Sequence, residues 1–244
     1  MVQKKASKVE ENYLQYYFHK EENSVVYKNI NSSIFPSKIS VFPLEKCLLL
    51  PKATLPLNIF EPKYISMIDD ALSGDKYIGI IQPLIKNYNK QEQKLESIGC
   101  LGKISTYIEN DDSTYIIKLT GICRFNIINE IETDFEYRKF EVDYSNFSDD
   151  LSETNTISDT ERKKLLNIIA EYLNVNDLTT DWDAISDTKT EILINIFSMV
   201  SPFNAQEKQA LLEAINIKKR SEVLIALSEI AIASRNNNKA NFIQ

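Results

Sequence analysis

Glycine is scarce in this 244-residue chain, at 5 residues, and proline occurs only 7 times. So few glycines leave little room for a phosphate-cradling loop, which needs several in close order before a Lys-Ser or Lys-Thr pair. The nearest approach, Gly99-Cys100-Leu101-Gly102-Lys103-Ile104, has its glycines too close together and Ile104 where a metal-binding hydroxyl would stand. It superficially resembles a Gly-x-x-Gly nucleic-acid clamp, but Cys100 and Leu101 suit a strand interior, with the glycines placed where neighbours crowd. Histidine is rarer still: His19 is the only one, which removes most Ser-His and Cys-His schemes and the His-rich zinc sites. The three cysteines, Cys47, Cys100 and Cys123, are odd in number and far apart. That pattern suits reduced core thiols better than a disulfide frame or a Cys-x-x-Cys site.

Long apolar runs are also missing. Thr190 to Val200 is short and interrupted by Asn195 and Ser198, whereas a membrane-spanning helix needs about 20 apolar residues. Lys4, Lys5 and Lys8 are followed by no signal-peptide core, so the expected location is the cytoplasm. A formal charge of -7 and a pI near 5.0 give no reason to approach nucleic acid or anionic lipid. With 43% hydrophobic and 26% charged residues the chain has the balance of a folded globular protein.

What is present divides into two halves. Residues 1–38 read as an arm with one aromatic cluster, Tyr13, Tyr16, Tyr17 and Phe18, the three tyrosines at helical spacing. Residues 39–148 carry strand chemistry: short runs rich in Val, Ile, Tyr and Phe broken by polar turns. Tyr77 to Gln82 is one run, closed by Pro83. Ile98 to Glu109 and Thr114 to Leu119 flank the turn-forming Asn110-Asp111-Asp112-Ser113, which predicts a hairpin. Two more strands are expected at Arg124 to Glu130 and Arg138 to Tyr144. One helix interrupts them, started by Pro62, with Asp69 and Asp70 on its outward side and Gly74 as a left-handed stop.

Residues 149–157 read as a linker, and residues 158–235 have helical periodicity before a tail at 236–244. Ser158 with Glu161, Thr188 with Glu191 and Asn204 with Glu207 are three capping-box patterns, each followed by an apolar face. A last helix carries Val223, Leu224, Leu227 and Ile230. The expectation is an α+β protein whose second half is a four-helix bundle. The acid pairs Asp69-Asp70, Asp111-Asp112 and Asp149-Asp150 read as solvated rather than metal-binding. No catalytic constellation, metal site or cofactor site is expected.

The most distinctive segment runs Val41-Phe42-Pro43-Leu44, Leu48-Leu49-Leu50-Pro51 and Leu55-Pro56-Leu57-Asn58-Ile59-Phe60-Glu61-Pro62-Lys63-Tyr64. Ile98-Gly99 and Gly121-Ile122-Cys123-Arg124-Phe125 follow, then Pro202-Phe203 and Glu207-Lys208-Gln209-Ala210-Leu211-Leu212-Glu213 before Arg220. This series closely resembles the N-terminal, substrate-binding domain of Lon proteases, from Ile39 to Ile232. Lys52 and Lys63 depart from the family's usual Gly and Arg; Lys52 implies a turn without positive φ.

The resemblance implies a PUA-like β pseudo-barrel with an attached helical bundle, like the free-standing bacterial members of this family. It implies a non-catalytic, chaperone-like role in proteolysis, with unfolded or tagged polypeptides as partners and a protease to collect them. A PUA-like nucleic-acid binder or a hydrolase with an unrecognised site are the alternatives. Phe60, Tyr64 and Phe125 are expected in the core. Glu61 and Arg124 are expected to pair, because a lone buried charge is costly. Pro56, Leu57, Tyr77 and Tyr107 are the candidate polypeptide-binding residues, arranged around the strand Tyr77 to Gln82.

Overall fold

A computed structural model describes residues 34–84, 93–152, 157–176, 178 and 180–241, with side chains as far as 236. The aromatic cluster at 13–18 and His19 lie outside the described residues. By residue contacts the chain divides into two compact units, one of Val25–Glu153 and the other of Met1–Ser24 with Thr154–Gln244.

The first unit is built on a mixed six-stranded sheet. Its strands are β1 (Lys38–Pro43), β2 (Thr54–Ile59), β3 (Tyr77–Ile81), β4 (Ile98–Glu109), β5 (Tyr115–Ile131) and β6 (Lys139–Asp143). Helix α1 (Pro62–Ser73) falls between β2 and β3, and a 3-10 helix (Ser145–Leu151) follows β6. The order is β2-β5-β4-β3-β1-β6, with β5 also pairing β6. The pairings of β1, β3, β4, β5 and β6 therefore close into a ring, with β2 outside it on the first half of β5. All contacts are antiparallel except β1 with β3. Parallel neighbours need a long crossover, and here it carries β2 and α1.

The β4–β5 hairpin forms where the turn residues predict it. Asn110 accepts a backbone bond from Ser113, and the Asp112 carboxylate accepts from the Thr114 amide and hydroxyl. The two strands expected at Thr114 to Leu119 and Arg124 to Glu130 are one 17-residue strand, β5. No turn breaks them, since the intervening Gly121 stays extended and opposes Gly102 on β4. Inside the ring, Ile39, Val41, Leu101, Cys123, Phe125, Phe140 and Tyr144 form the core.

Glycine supplies none of the left-handed residues. Gly74 caps α1 at φ -115 rather than in the left-handed region, and the positive φ falls two residues later, on Lys76 at 66. Lys52, expected to avoid positive φ, adopts 62. Its amide donates to the Gly121 carbonyl and its ammonium to the Ser152 carbonyl, which holds the turn. Lys76 has an exposed side chain, so Lys76→Gly relieves the left-handed strain without removing a buried contact. A gain of about 0.5–1 kcal/mol in urea unfolding is expected; a loss would show that backbone strain is absent there.

Among the described residues of the second unit there are five helices: α2 (Asp159–Val175), α3 (Trp182–Asp187), α4 (Thr190–Val200), α5 (Ala205–Glu213) and α6 (Ile217–Asn241). Four were expected; the addition is α3, started by the Asp181 carboxylate, which accepts from the amides of Asp183 and Ala184. The boxes at Ser158–Glu161 and Asn204–Glu207 form. The one at Thr188–Glu191 does not, because the Thr188 hydroxyl donates backward to the Ala184 carbonyl. Helix α4 is buried from Leu193 to Met199. Arg220 on α6 ties this unit together, donating to Asn195 Oδ1 on α4 and to the Leu211 carbonyl on α5. The last helix runs past residue 235 to Asn241, and Ile230, expected on its apolar face, is exposed.

Candidate functional site

Buried charge in the β unit is placed differently from expectation. Arg124 does not meet Glu61. Its Nε and Nη2 donate to both oxygens of Asp150 at 2.8–3.2 Å, and its own amide donates to Asp150 Oδ2 at 2.9 Å. Asp150, read as a solvated linker residue, is a buried end of the 3-10 helix. Glu61 instead lies at the exposed N-cap of α1 beside Lys63. There its carboxylate stands in water 3.6 Å from the Lys63 ammonium and caps no backbone amide, so nothing draws it inward. Asp69 and Asp70 also differ from expectation: they accept from the hydroxyls of Tyr115 and Tyr137 and fasten α1 to β5 and to the loop before β6. The Asp69 carboxylate, with burial, pushes the Tyr115 hydroxyl up to about 12.

The Cys123 thiol donates to the Phe147 carbonyl, and burial pushes its pKa well above the usual thiol range. This is the reverse of an activated nucleophile. Among the described residues no group of His, Cys, Asp and Glu could hold a metal ion, and no helix is long and apolar enough to cross a membrane.

The four candidate polypeptide-binding residues do not form one wall. Tyr77 packs edge-on against Phe35 at 5.9 Å and belongs to the border of the core, where burial raises its hydroxyl pKa. The rest of β3, Ile78 to Ile81, is buried and presents no apolar surface. Pro56 and Leu57 are neighbours on β2 and so point to opposite faces. Leu57 opposes Ile117, which opposes Tyr107, giving one rung across three strands. Ile117 is buried in that rung and Tyr107, at its end, is half exposed.

The exposed apolar surface lies on the other face. Ile108 and Ile116 oppose one another and are 62% and 46% exposed. Asn58 continues their rung, and the neighbouring rung is Pro56, Lys118 and Thr106. Phe60, expected in the core, follows β2 directly and is 66% exposed. Sequence periodicity held the signal: Tyr115, Ile117 and Leu119 mark the inward positions of β5. Ile116 is thus an apolar residue on the parity that Lys118 assigns to solvent, and a strand normally places polar residues there.

This α+β protein, with its mixed six-stranded sheet and several helices, has the Lon N-terminal domain fold. The Lon N-terminal domain protein of Xanthomonas campestris matches it with a TM-score of 0.55 at 18% identity, over 78% of this chain and 97% of that one. The N-terminal domain of the Mycobacterium avium complex Lon protease matches with a TM-score of 0.57 at 16% identity, over 79% and 98%. The family model of the ATP-dependent protease La (LON) substrate-binding domain matches residues 38–228, and the chain belongs to that family. Lon protease 2 of Myxococcus xanthus is 24% identical over 202 residues, which are 81% of this chain and 24% of that protein. The chain thus spans about a quarter of the length of such relatives.

Proposed function

We propose that this chain binds other polypeptides without transforming them, as a Lon-like substrate-recognition module. Family membership supports the role, and the outward Ile108–Ile116 pair with Phe60 beside it carries the assignment of the surface. Exposed apolar side chains grouped on a sheet face are a ready docking surface for an unfolded segment. Pro56, on the free edge strand β2, lacks an amide hydrogen, which makes strand addition along that edge a poorer mode than contact with the face. The ring of five strands supports reading the sheet as a PUA-like pseudo-barrel. Unfolded or tagged polypeptides in the cytoplasm, with a protease to receive them, are the partners this reading implies.

Fluorescence anisotropy with a labelled, permanently unfolded polypeptide tests the proposal. The double variant Ile108→Ser with Ile116→Ser is expected to weaken binding about tenfold, equivalent to about 1.4 kcal/mol. Because both residues are exposed, stability should stay within about 0.5 kcal/mol of the parent. Equal affinity for parent and variant would remove this face from the proposal, and no binding by the parent would remove the function.

A further inference from the structure

The face that carries Ile108 and Ile116 bears charge of one sign. Beyond their rung and the rung of Pro56, Lys118 and Thr106 lies a third, made of Thr54, Thr120 and Lys103. Lys103 reaches this face through a shift in the β4 register between Ile104 and Thr106. In a regular strand two residues three apart point to opposite sides, and a bulge of this kind re-aims one of them. The Ser105 hydroxyl at the bulge donates to the Lys118 carbonyl at 3.0 Å. Lys103 and Lys118 are thereby diagonal neighbours, about 7–8 Å apart, and no other position of the three rungs holds a charged residue. The Tyr77 ring, 5.3 Å from the Lys103 ammonium, steadies that cation without cancelling its charge.

We propose that this face selects unfolded segments in which an acidic side chain stands two residues from an apolar one, the acid between Lys103 and Lys118 and the apolar residue on Ile108 and Ile116. The proposal rests on the recognition role above and narrows its client class. Like charges side by side on a sheet are unfavourable, and an anion set between them relieves the repulsion. Side chains on one side of an extended chain recur about every 6.6 Å, which is the step from Ile116 to Lys118 and gives the two-residue spacing. Lys118 occupies the middle rung, so a bound segment runs past it in both directions; that fits a side-chain carboxylate rather than a chain end. The net charge of -7 opposes acidic clients at a distance. Charges more than about 10 Å apart are largely screened at ordinary salt, however, so the two lysines at the point of contact decide.

Anisotropy at about 0.1 M salt with labelled, amidated peptides tests it on the full chain. Each peptide repeats a phenylalanine and, two residues on, an aspartate, an asparagine or a lysine, with serines between. The parent should bind the aspartate peptide about tenfold more tightly than the lysine peptide, with the asparagine peptide between them. In the double variant Lys103→Gln with Lys118→Gln the ratio should fall to about twofold or less. Equal affinity of the parent for all of the peptides, or a ratio that survives the double variant, overturns the proposal and leaves the recognition role standing. An asparagine peptide with a free terminal carboxylate that binds as tightly as the aspartate one also overturns it, by assigning the lysines to a chain end. Binding of the permanently unfolded polypeptide but of none of the peptides overturns it too, whereas binding of neither removes the recognition role as well.

Discussion

Arg124→Ala lowers the stability of the β unit by about 3–5 kcal/mol, because it strands the Asp150 carboxylate away from water. Arg124 is 2% exposed and Asp150 5%, and the guanidinium also lies over the Phe147 ring at 4.6 Å. Once the cation is gone, the surviving bond from the residue 124 amide cannot balance a full buried charge. The paired change Arg124→Met with Asp150→Asn removes both charges, fills the space and keeps an acceptor for that amide. It should recover more than half of the loss, since a neutral pair avoids the desolvation of two ions. Urea unfolding followed by near-ultraviolet circular dichroism of the sheet tyrosines measures both. A loss below about 1 kcal/mol for Arg124→Ala would mean that water reaches the carboxylate.

Gly121→Ala is the second large effect. A Cβ there would stand 2.1 Å from the Leu50 carbonyl oxygen and 2.8 Å from its carbon. Those are backbone atoms in a turn fixed on both sides, by Lys52 N donating to the Gly121 carbonyl and Gly121 N donating to the Ala53 carbonyl. Nothing flexible can yield, so a loss of about 3 kcal/mol is expected. Gly74→Ala is the control: its nearest atoms would be 3.5 and 3.8 Å away at an ordinary negative φ, and stability should change by less than about 1 kcal/mol. Equal losses at the two positions would mean that the close approach at Gly121 is not what matters.

Local chemistry accounts for what could be read from the residues alone. Turn-forming Asn110 to Ser113 placed the hairpin, and the boxes at Ser158 and Asn204 placed two helix starts. Crowding was legible at Gly99 and Gly102, whose Cβ positions lie within 3.0 Å of Phe125, Ile80 and the leucines Leu49 and Leu119. What escaped was long-range. Nothing near Arg124 distinguishes Asp150, 26 residues later, from Glu61 as its partner; only the return of the 3-10 helix does. Phe60 escaped because an aromatic residue before a helix is usually a core anchor, and burial depends on which way β2 hands the chain to α1. At the candidate site, Pro56 was grouped with the strand Tyr77 to Gln82, whereas it shares a face with Ile108 and Ile116, which no local signal linked to it. Tyr77 was misplaced because a tyrosine beginning a buried strand looks the same as one beginning an open strand.

The five-membered closure of β1, β3, β4, β5 and β6 is complete without β2. Pro56, Asn58 and Phe60 therefore stand on a lean-to, propped against the outer half of β5 while the room behind it is already walled. Substitutions on that annex change the outer face and leave the closed part of the architecture intact.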